Sequence, residues 1–137
     1  MLFRSDQGVQ TFRYEFMRMG GEGYGDVIRE ARALNTEPTV ILENNHRGTL
    51  SLVYEGICVD RENVQISAVK RSEDGRGVIV RLYETDGVDT EVSVCGSILP
   101  KPLNARIGHY SVNTYFIADK DSEWREILLT EFDIKRP

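Results

Sequence analysis

The sequence predicts a mainly β protein, an antiparallel two-layer β-sandwich with one short helix near the N-terminus. Three observations predict it. Segments in which apolar and polar residues alternate recur along the chain, turn dipeptides such as Asp74-Gly75 and Asp86-Gly87 separate several of them, and one stretch alone carries helical spacing. Alternation marks a strand with one buried face, whereas a 3.6-residue recurrence marks a helix. Closely spaced strands of this kind are best satisfied by two sheets that bury their inner faces against each other. A length of 137 residues suits one domain, 1–137, able to bury a core without disulfides or a structural metal.

Taken in order, Gln10 to Phe16 alternates, with Phe12, Tyr14 and Phe16 on one face and Thr11, Arg13 and Glu15 on the other. Glycines at 20, 21, 23 and 25 break the pattern, and Asp26 is placed to cap a helix carrying Val27, Ala31 and Leu34. That helix should stop near Asn35, because Pro38 disfavours helical backbone just before it. Thr39 to Leu42 and the segment with Leu50, Leu52 and Tyr54 in phase are strand candidates flanking the polar loop Glu43 to Gly48. Ile57 and Val59 lead into the turn-prone Asp60-Arg-Glu-Asn63. Val64, Ile66 and Ala68 then share a face, as do Val78, Val80 and Leu82 in the next strand, opposite Ile79, Arg81 and Tyr83.

Between these two strands the loop Ser72-Glu-Asp-Gly-Arg-Gly77 contains the Asp-Gly pair favoured where a hairpin needs positive φ. Asp86-Gly87 repeats the signal, so Val92 and Val94 are expected in a third consecutive strand of a β-meander. Beyond Pro100 and Pro102 the pattern weakens. Tyr110 to Ile117 is nevertheless rich in β-formers, and Ile127 to Ile134 alternates with Leu128, Phe132 and Ile134 in phase.

The run from Asn63 to Glu84, in which Asn63-Val-Gln-Ile-Ser-Ala-Val-Lys70 is followed by an acidic turn and Val80-Arg-Leu-Tyr-Glu84, resembles the C-terminal β-sandwich domain of the α-mannosidases of glycoside hydrolase family 38. Asp6, Gly8, Phe12 and Tyr14, then Gly21, Val27, Ala31 and Leu34-Asn35, are similar to that family's strand, glycine break and helix. Leu129-Thr-Glu-Phe132-Asp-Ile134-Lys resembles its final strand. Residues 100 to 124 match poorly, and Met17-Arg18-Met19 stands where relatives often carry Pro-His. The resemblance implies a parent enzyme that hydrolyses terminal α-mannose with retention, using zinc and an Asp nucleophile in an N-terminal catalytic domain. This chain would be the non-catalytic C-terminal part of such an enzyme, with that catalytic domain as partner and a mannose-containing oligosaccharide as the parent's substrate.

The residues themselves carry no catalytic apparatus. Retaining glycosidases need two carboxylates about 5 Å apart across the sugar, and zinc needs three or four clustered ligands. His46 and His109 are far apart in sequence, and Cys58 and Cys95 lack a Cys-x-x-Cys spacing, so a buried pair of free thiols is expected and no metal site. Glu73-Asp74 reads as a solvated turn. Asp121, Glu123 and Glu126 lack the loop pattern of a calcium site. The glycines before the helix fit no phosphate motif. A net charge of −5 with scattered basic residues argues against a nucleic-acid surface. No apolar run is long enough to span a membrane, and Met1-Leu-Phe-Arg-Ser-Asp6 lacks a secretory apolar core, so a cytoplasmic location is expected.

Two sets of residues are candidates for contact with other molecules. Trp124, Tyr110 and His46 could touch sugar, as they would in a freestanding carbohydrate-binding module, the alternative to the mannosidase reading; the plainer reading places Trp124 at the end of the sandwich and His46 in an exposed loop. Arg81, Tyr83 and Arg47 are candidates for a domain interface, since an Arg on a strand face needs a partner or a covering surface. In the plainer reading Arg81 pairs locally or lays its stem on the sheet.

Overall fold

The computed structural model describes residues 8–18, 20, 24–44, 46–120 and 123–132. The expectations placed on Asp6, Met19, Gly21, Gly23, Asp121 and Ile134 lie outside the described residues. Contacts gather the chain into two units, residues 1–46 and 47–137.

In the first unit the helix α1 spans Gly25–Asn35, and it ends where Pro38 requires. Asn35 turns its side-chain amide back to the Ala31 carbonyl at 2.7 Å. Asp26 is not the cap: Tyr24 occupies that position, and Asp26 lies in the first turn, where a negative charge suits the helix dipole and where it pairs with Arg29. No described helix is long and apolar enough to cross a membrane.

Gln10 to Phe16 and Thr39 to Leu42 are not strands, nor is the segment around Leu50 to Tyr54 at the start of the second unit. Phe12, Phe16, Leu42, Leu50 and Leu52 are each more than 80% exposed. Alternation specifies a face to be buried, but a strand also needs a neighbour to receive its N–H and C=O groups. These segments have the first without the second among the described residues.

Among its described residues the second unit contains seven strands, β1 Cys58–Val59, β2 Val64–Arg71, β3 Gly77–Glu84, β4 Thr90–Cys95, β5 Leu103–Ile107, β6 Val112–Ala118 and β7 Arg125–Ile127. They form two antiparallel sheets, ordered β1-β4-β5 and β2-β3-β6-β7. Val64, Val80, Leu82 and Tyr115 from the four-stranded sheet meet Val92, Val94, Leu103 and Ile107 from the three-stranded one, all nearly or fully buried. This shared layer makes the pair a sandwich. The mainly β class and, among the described residues, the one short helix near the N-terminus are as the sequence predicts.

The hairpin β2–β3 forms around Ser72 to Gly77, with Gly75 at φ +70°. Two details differ from expectation. A bulge between Ile66 and Ala68 shifts the alternation by one residue, so Val69 rather than Ala68 continues the inward row of Val64 and Ile66. And the expected meander does not form, because β4 leaves the sheet of β2 and β3 and pairs with β1 and β5 instead. The second neighbour of β3 is β6, whose Thr114 to Ile117 are all buried.

β5 was not legible after the prolines, although Leu103, Ala105 and Ile107 face inward between outward Asn104 and Arg106. At the other end of the chain the expected strand from Ile127 is displaced. β7 is already complete at Ile127, and the chain then turns, with Leu128 N–H on the Phe132 carbonyl at 2.8 Å. The outer face of the larger sheet carries a second small cluster of Ile79, Phe116 and Ile127, with the Arg125 guanidinium 4.8 Å above the Phe116 ring.

Gly77 begins β3 opposite Ala118 of β6. A Cβ there would stand 2.2 Å from the Ile117 carbonyl oxygen and 2.5 Å from the Phe116 ring. Gly77→Ala is therefore expected to destabilise the fold by about 2–3 kcal/mol in urea unfolding, as overpacking against fixed backbone does. Gly48→Ala, with no atom within 4 Å of the added carbon, should leave the midpoint nearly unchanged.

Candidate functional site

The densest polar constellation lies at one end of the sandwich, where Glu84 closes β3 with only 4% of its surface exposed. Its carboxylate accepts four hydrogen bonds: from the Asn63 amide at 2.9 Å, from Asp86 N–H and Gly87 N–H at 2.8 Å each, and from Tyr110 N–H at 2.9 Å. Desolvation pushes its pKa up, but the bonds from Tyr110, Asn63, Asp86 and Gly87 outweigh that and hold it down at about 2. Asn63 also donates to Thr90 Oγ1 at 2.7 Å, and its carbonyl receives Thr85 N–H at 2.9 Å. The Tyr110 ring lies against Gly87, which adopts φ +76° and would place a Cβ 2.6 Å from that ring. A buried carboxylate with its acceptor sites filled and its proton gone is a structural anchor; it has no proton to give as a general acid and no lone pair free to act as a base.

Other ionisable groups are committed in the same way. Asp89 receives His109 N–H and faces His109 Nδ1, both at 3.0 Å, and meets Arg106 at 3.2 Å. Bonding to the His109 ring and backbone, then to Arg106, holds its carboxyl below the usual range. Asp74 bonds Ser72 and Arg76 inside the hairpin turn, which lowers it strongly. Glu73, its neighbour, is 80% exposed on the side chain and pairs with Lys70, so the two make a solvated turn as expected. Among the described residues no three His, Cys, Asp or Glu come together as a metal site.

Within the second unit the two candidate aromatics, Trp124 and Tyr110, do not converge. Trp124 is half-buried against the main core and donates its indole N–H to the Lys101 carbonyl at 3.2 Å, just before β5 begins. Tyr110 is 68% exposed and sits beyond the other end of β5. His46 belongs to the first unit, exposed, with its ring nitrogen 2.9 Å from the Asn44 carbonyl. Arg47, exposed, opens the second unit. Arg81 and Tyr83 are half-buried on the outer face of β3. Arg81 finds its acceptors within the chain, at Thr114 Oγ1 (3.2 Å) and the Leu129 carbonyl (3.1 Å).

Sequence reasoning missed two features. It gave Glu84 no role, although a Glu two residues before an Asp-Gly turn is suitably placed to cap it. It also expected the thiols to be buried. Cys58 and Cys95 are free, but Cys58 is half-buried and Cys95 exposed, because both lie on the outward row of their strands.

Fold and site together define a β-sandwich module whose polar groups are spent on holding its own strands. Residues 63–105, the hairpin with β4 and most of β5, match the family model described as Glycosyl hydrolases family 38 C-terminal beta sandwich domain. The resemblance carried by the hairpin is thus borne out over those strands. Among curated proteins the chain is similar to Alpha-mannosidase G of Dictyostelium discoideum, at 25% identity over 138 residues, which cover 95% of this chain and 12% of that protein. The chain therefore spans about an eighth of the length of that relative. No solved structure matches it significantly.

The Glu84 anchor makes a signed prediction. Its folded-state pKa of about 2 lies below the ordinary 4.5, so its contribution is complete above about pH 4.5 and is lost as pH falls toward 2. Glu84→Gln offers one acceptor oxygen and sets an NH₂ donor against backbone donors, and should cost about 2–3 kcal/mol near neutral pH. The difference from wild type, followed by urea unfolding, should shrink as the pH is lowered through that window.

Proposed function

We propose that this chain is a non-catalytic C-terminal domain of a cytoplasmic α-mannosidase, which packs against the enzyme's catalytic domain and supports it. The observation that carries this reading is the family match across β2 to β5, the strands that build both layers of the core. Alpha-mannosidase G, aligned with nearly the whole chain, supports the parent activity. The reaction proposed for that parent is retaining hydrolysis of terminal α-mannose in mannose-containing oligosaccharides.

Zinc, which the family resemblance implies for the parent, does not fit the residues described here, since they offer no cluster of ligands. The ion belongs to the catalytic domain in this reading. The free thiols of Cys58 and Cys95 suit a reducing compartment.

Exposed apolar residues favour a scaffold role over an independent module. Phe12, Tyr14, Phe16, Leu42, Leu50 and Leu52 are each at least 79% exposed, and modules that act alone rarely leave so many large apolar side chains in water. A larger protein provides surfaces to cover them.

Purified chain is expected to release no product from an aryl α-mannoside, with or without added zinc. Zinc-dependent turnover would overthrow the reading. Saturable binding of mannose or mannan in calorimetry, lost in Tyr110→Ala, would replace it with a carbohydrate-binding module.

A further inference from the structure

The register of the smaller sheet sets Cys58 of β1 directly opposite Cys95 of β4. Their sulfurs are 3.0 Å apart, and the Cys58 thiol also lies 3.4 Å from the Cys95 carbonyl. Val59 and Val94, the next pair in the ladder, turn inward toward the core, so the two sulfurs stand together on the outer surface of the sheet. Directly opposed antiparallel residues have Cα atoms about 4.5–5.5 Å apart, inside the window of about 4.4–6.8 Å that a disulfide tolerates. Side-chain rotation is enough to close the remaining gap.

We propose that Cys58 and Cys95 are a redox-reactive cross-strand pair that a small-molecule disulfide converts to an intramolecular disulfide, fastening the edge strand β1 to β4. The exchange proceeds in two steps. The Cys95 thiolate, the more exposed sulfur, attacks one sulfur of the reagent, forming a mixed disulfide and expelling one thiolate. Cys58, already in contact, then loses its proton and attacks Cys95 Sγ, expelling the second. Two protein thiols are oxidised, one reagent disulfide is reduced to two thiols, and the two protons pass to them.

Cys58 suits the second role. Its sulfur already lies 3.0 Å from Cys95 Sγ, so it attacks by proximity once Cys95 carries the mixed disulfide. The consequence falls on β1, which is two residues long and borders the segment in which Leu50, Leu52 and Tyr54 are exposed. Bonding it across a separation of 37 residues encloses β2, β3 and most of β4 in one loop.

The test treats the full chain with oxidised glutathione and follows thiol content, intact mass, peptide mapping and melting temperature. Expected are loss of both thiols, a mass lower by two hydrogens, a Cys58–Cys95 peptide and a melting temperature higher by roughly 10 °C or more, all reversed by dithiothreitol. Cys58→Ser should stop at the mixed disulfide on Cys95 with no rise in melting temperature. Its unchanged melting under reducing conditions would show that it folds. Wild-type chain that keeps both thiols, retains glutathione on Cys95 or becomes chiefly a disulfide-linked dimer would overturn the proposal.

Discussion

The sandwich depends on one buried carboxylate. Glu84 gathers donors from three places far apart in sequence: Asn63 just before β2, the Asp86-Gly87 corner after β3, and Tyr110 in the turn between β5 and β6. All three connections, the β1–β2 link that carries Asn63, the corner and the β5–β6 turn, pass from one sheet to the other. A charge excluded from water is tolerable only when its hydrogen-bonding capacity is filled, and here filling it requires all three connections to be in place at once. The interaction therefore acts on topology: it ties the end of the hairpin to the exit toward the smaller sheet and to the return from it.

That constraint explains which parts of the fold were readable. The β2–β3 hairpin was legible because its determinants are local: alternating Val78, Val80 and Leu82, and an Asp-Gly turn whose Asp74 and Ser72 close on their own backbone. Asp86-Gly87 carries the same dipeptide and led to the expectation of a meander, whereas the strand after it, β4, forms but joins the other sheet. What distinguishes it is the set of groups around Glu84, drawn from Asn63 and Tyr110, and no local pattern encodes that. The short β5 hid behind prolines, and a one-residue bulge inverted the phase of Ala68. The N-terminal alternation announced faces without announcing the edges that strands need, so its strands were predicted where none are found.

The same distinction governs the candidate residues. Sequence inspection weighed Trp124, Tyr110 and His46 by residue type, but folding ties the indole of Trp124 to a carbonyl and sets Tyr110 beyond the opposite end of β5. Arg81 was singled out because a strand-face guanidinium needs partners, and it has them within the chain, at Thr114 and Leu129. The Cys58–Cys95 juxtaposition was invisible for the complementary reason: without CxxC spacing, a pair separated by 37 residues is created by register alone.

The proposed scaffold role rests on where the polar energy goes. In an active site, groups are held with unsatisfied capacity, lone pairs and protons directed at a substrate. Here the perturbed carboxylates, Glu84, Asp74 and Asp89 among them, are perturbed by donors of the chain itself. The unsatisfied surface is apolar, from Phe12 to Phe16, Val40 to Leu42 and Leu50 to Tyr54. Apolar area left in water is relieved by burial against another surface, and at about 25 cal/mol per Å² even a modest contact would repay alignment of such segments. Their alternation sets what that surface must offer: a covering layer for one face and free backbone groups along an edge, which another domain can supply and a soluble sugar cannot. The hairpin thus belongs to the part of the architecture that holds shape, while the uncovered segments offer the surface that the proposed catalytic-domain partner would cover.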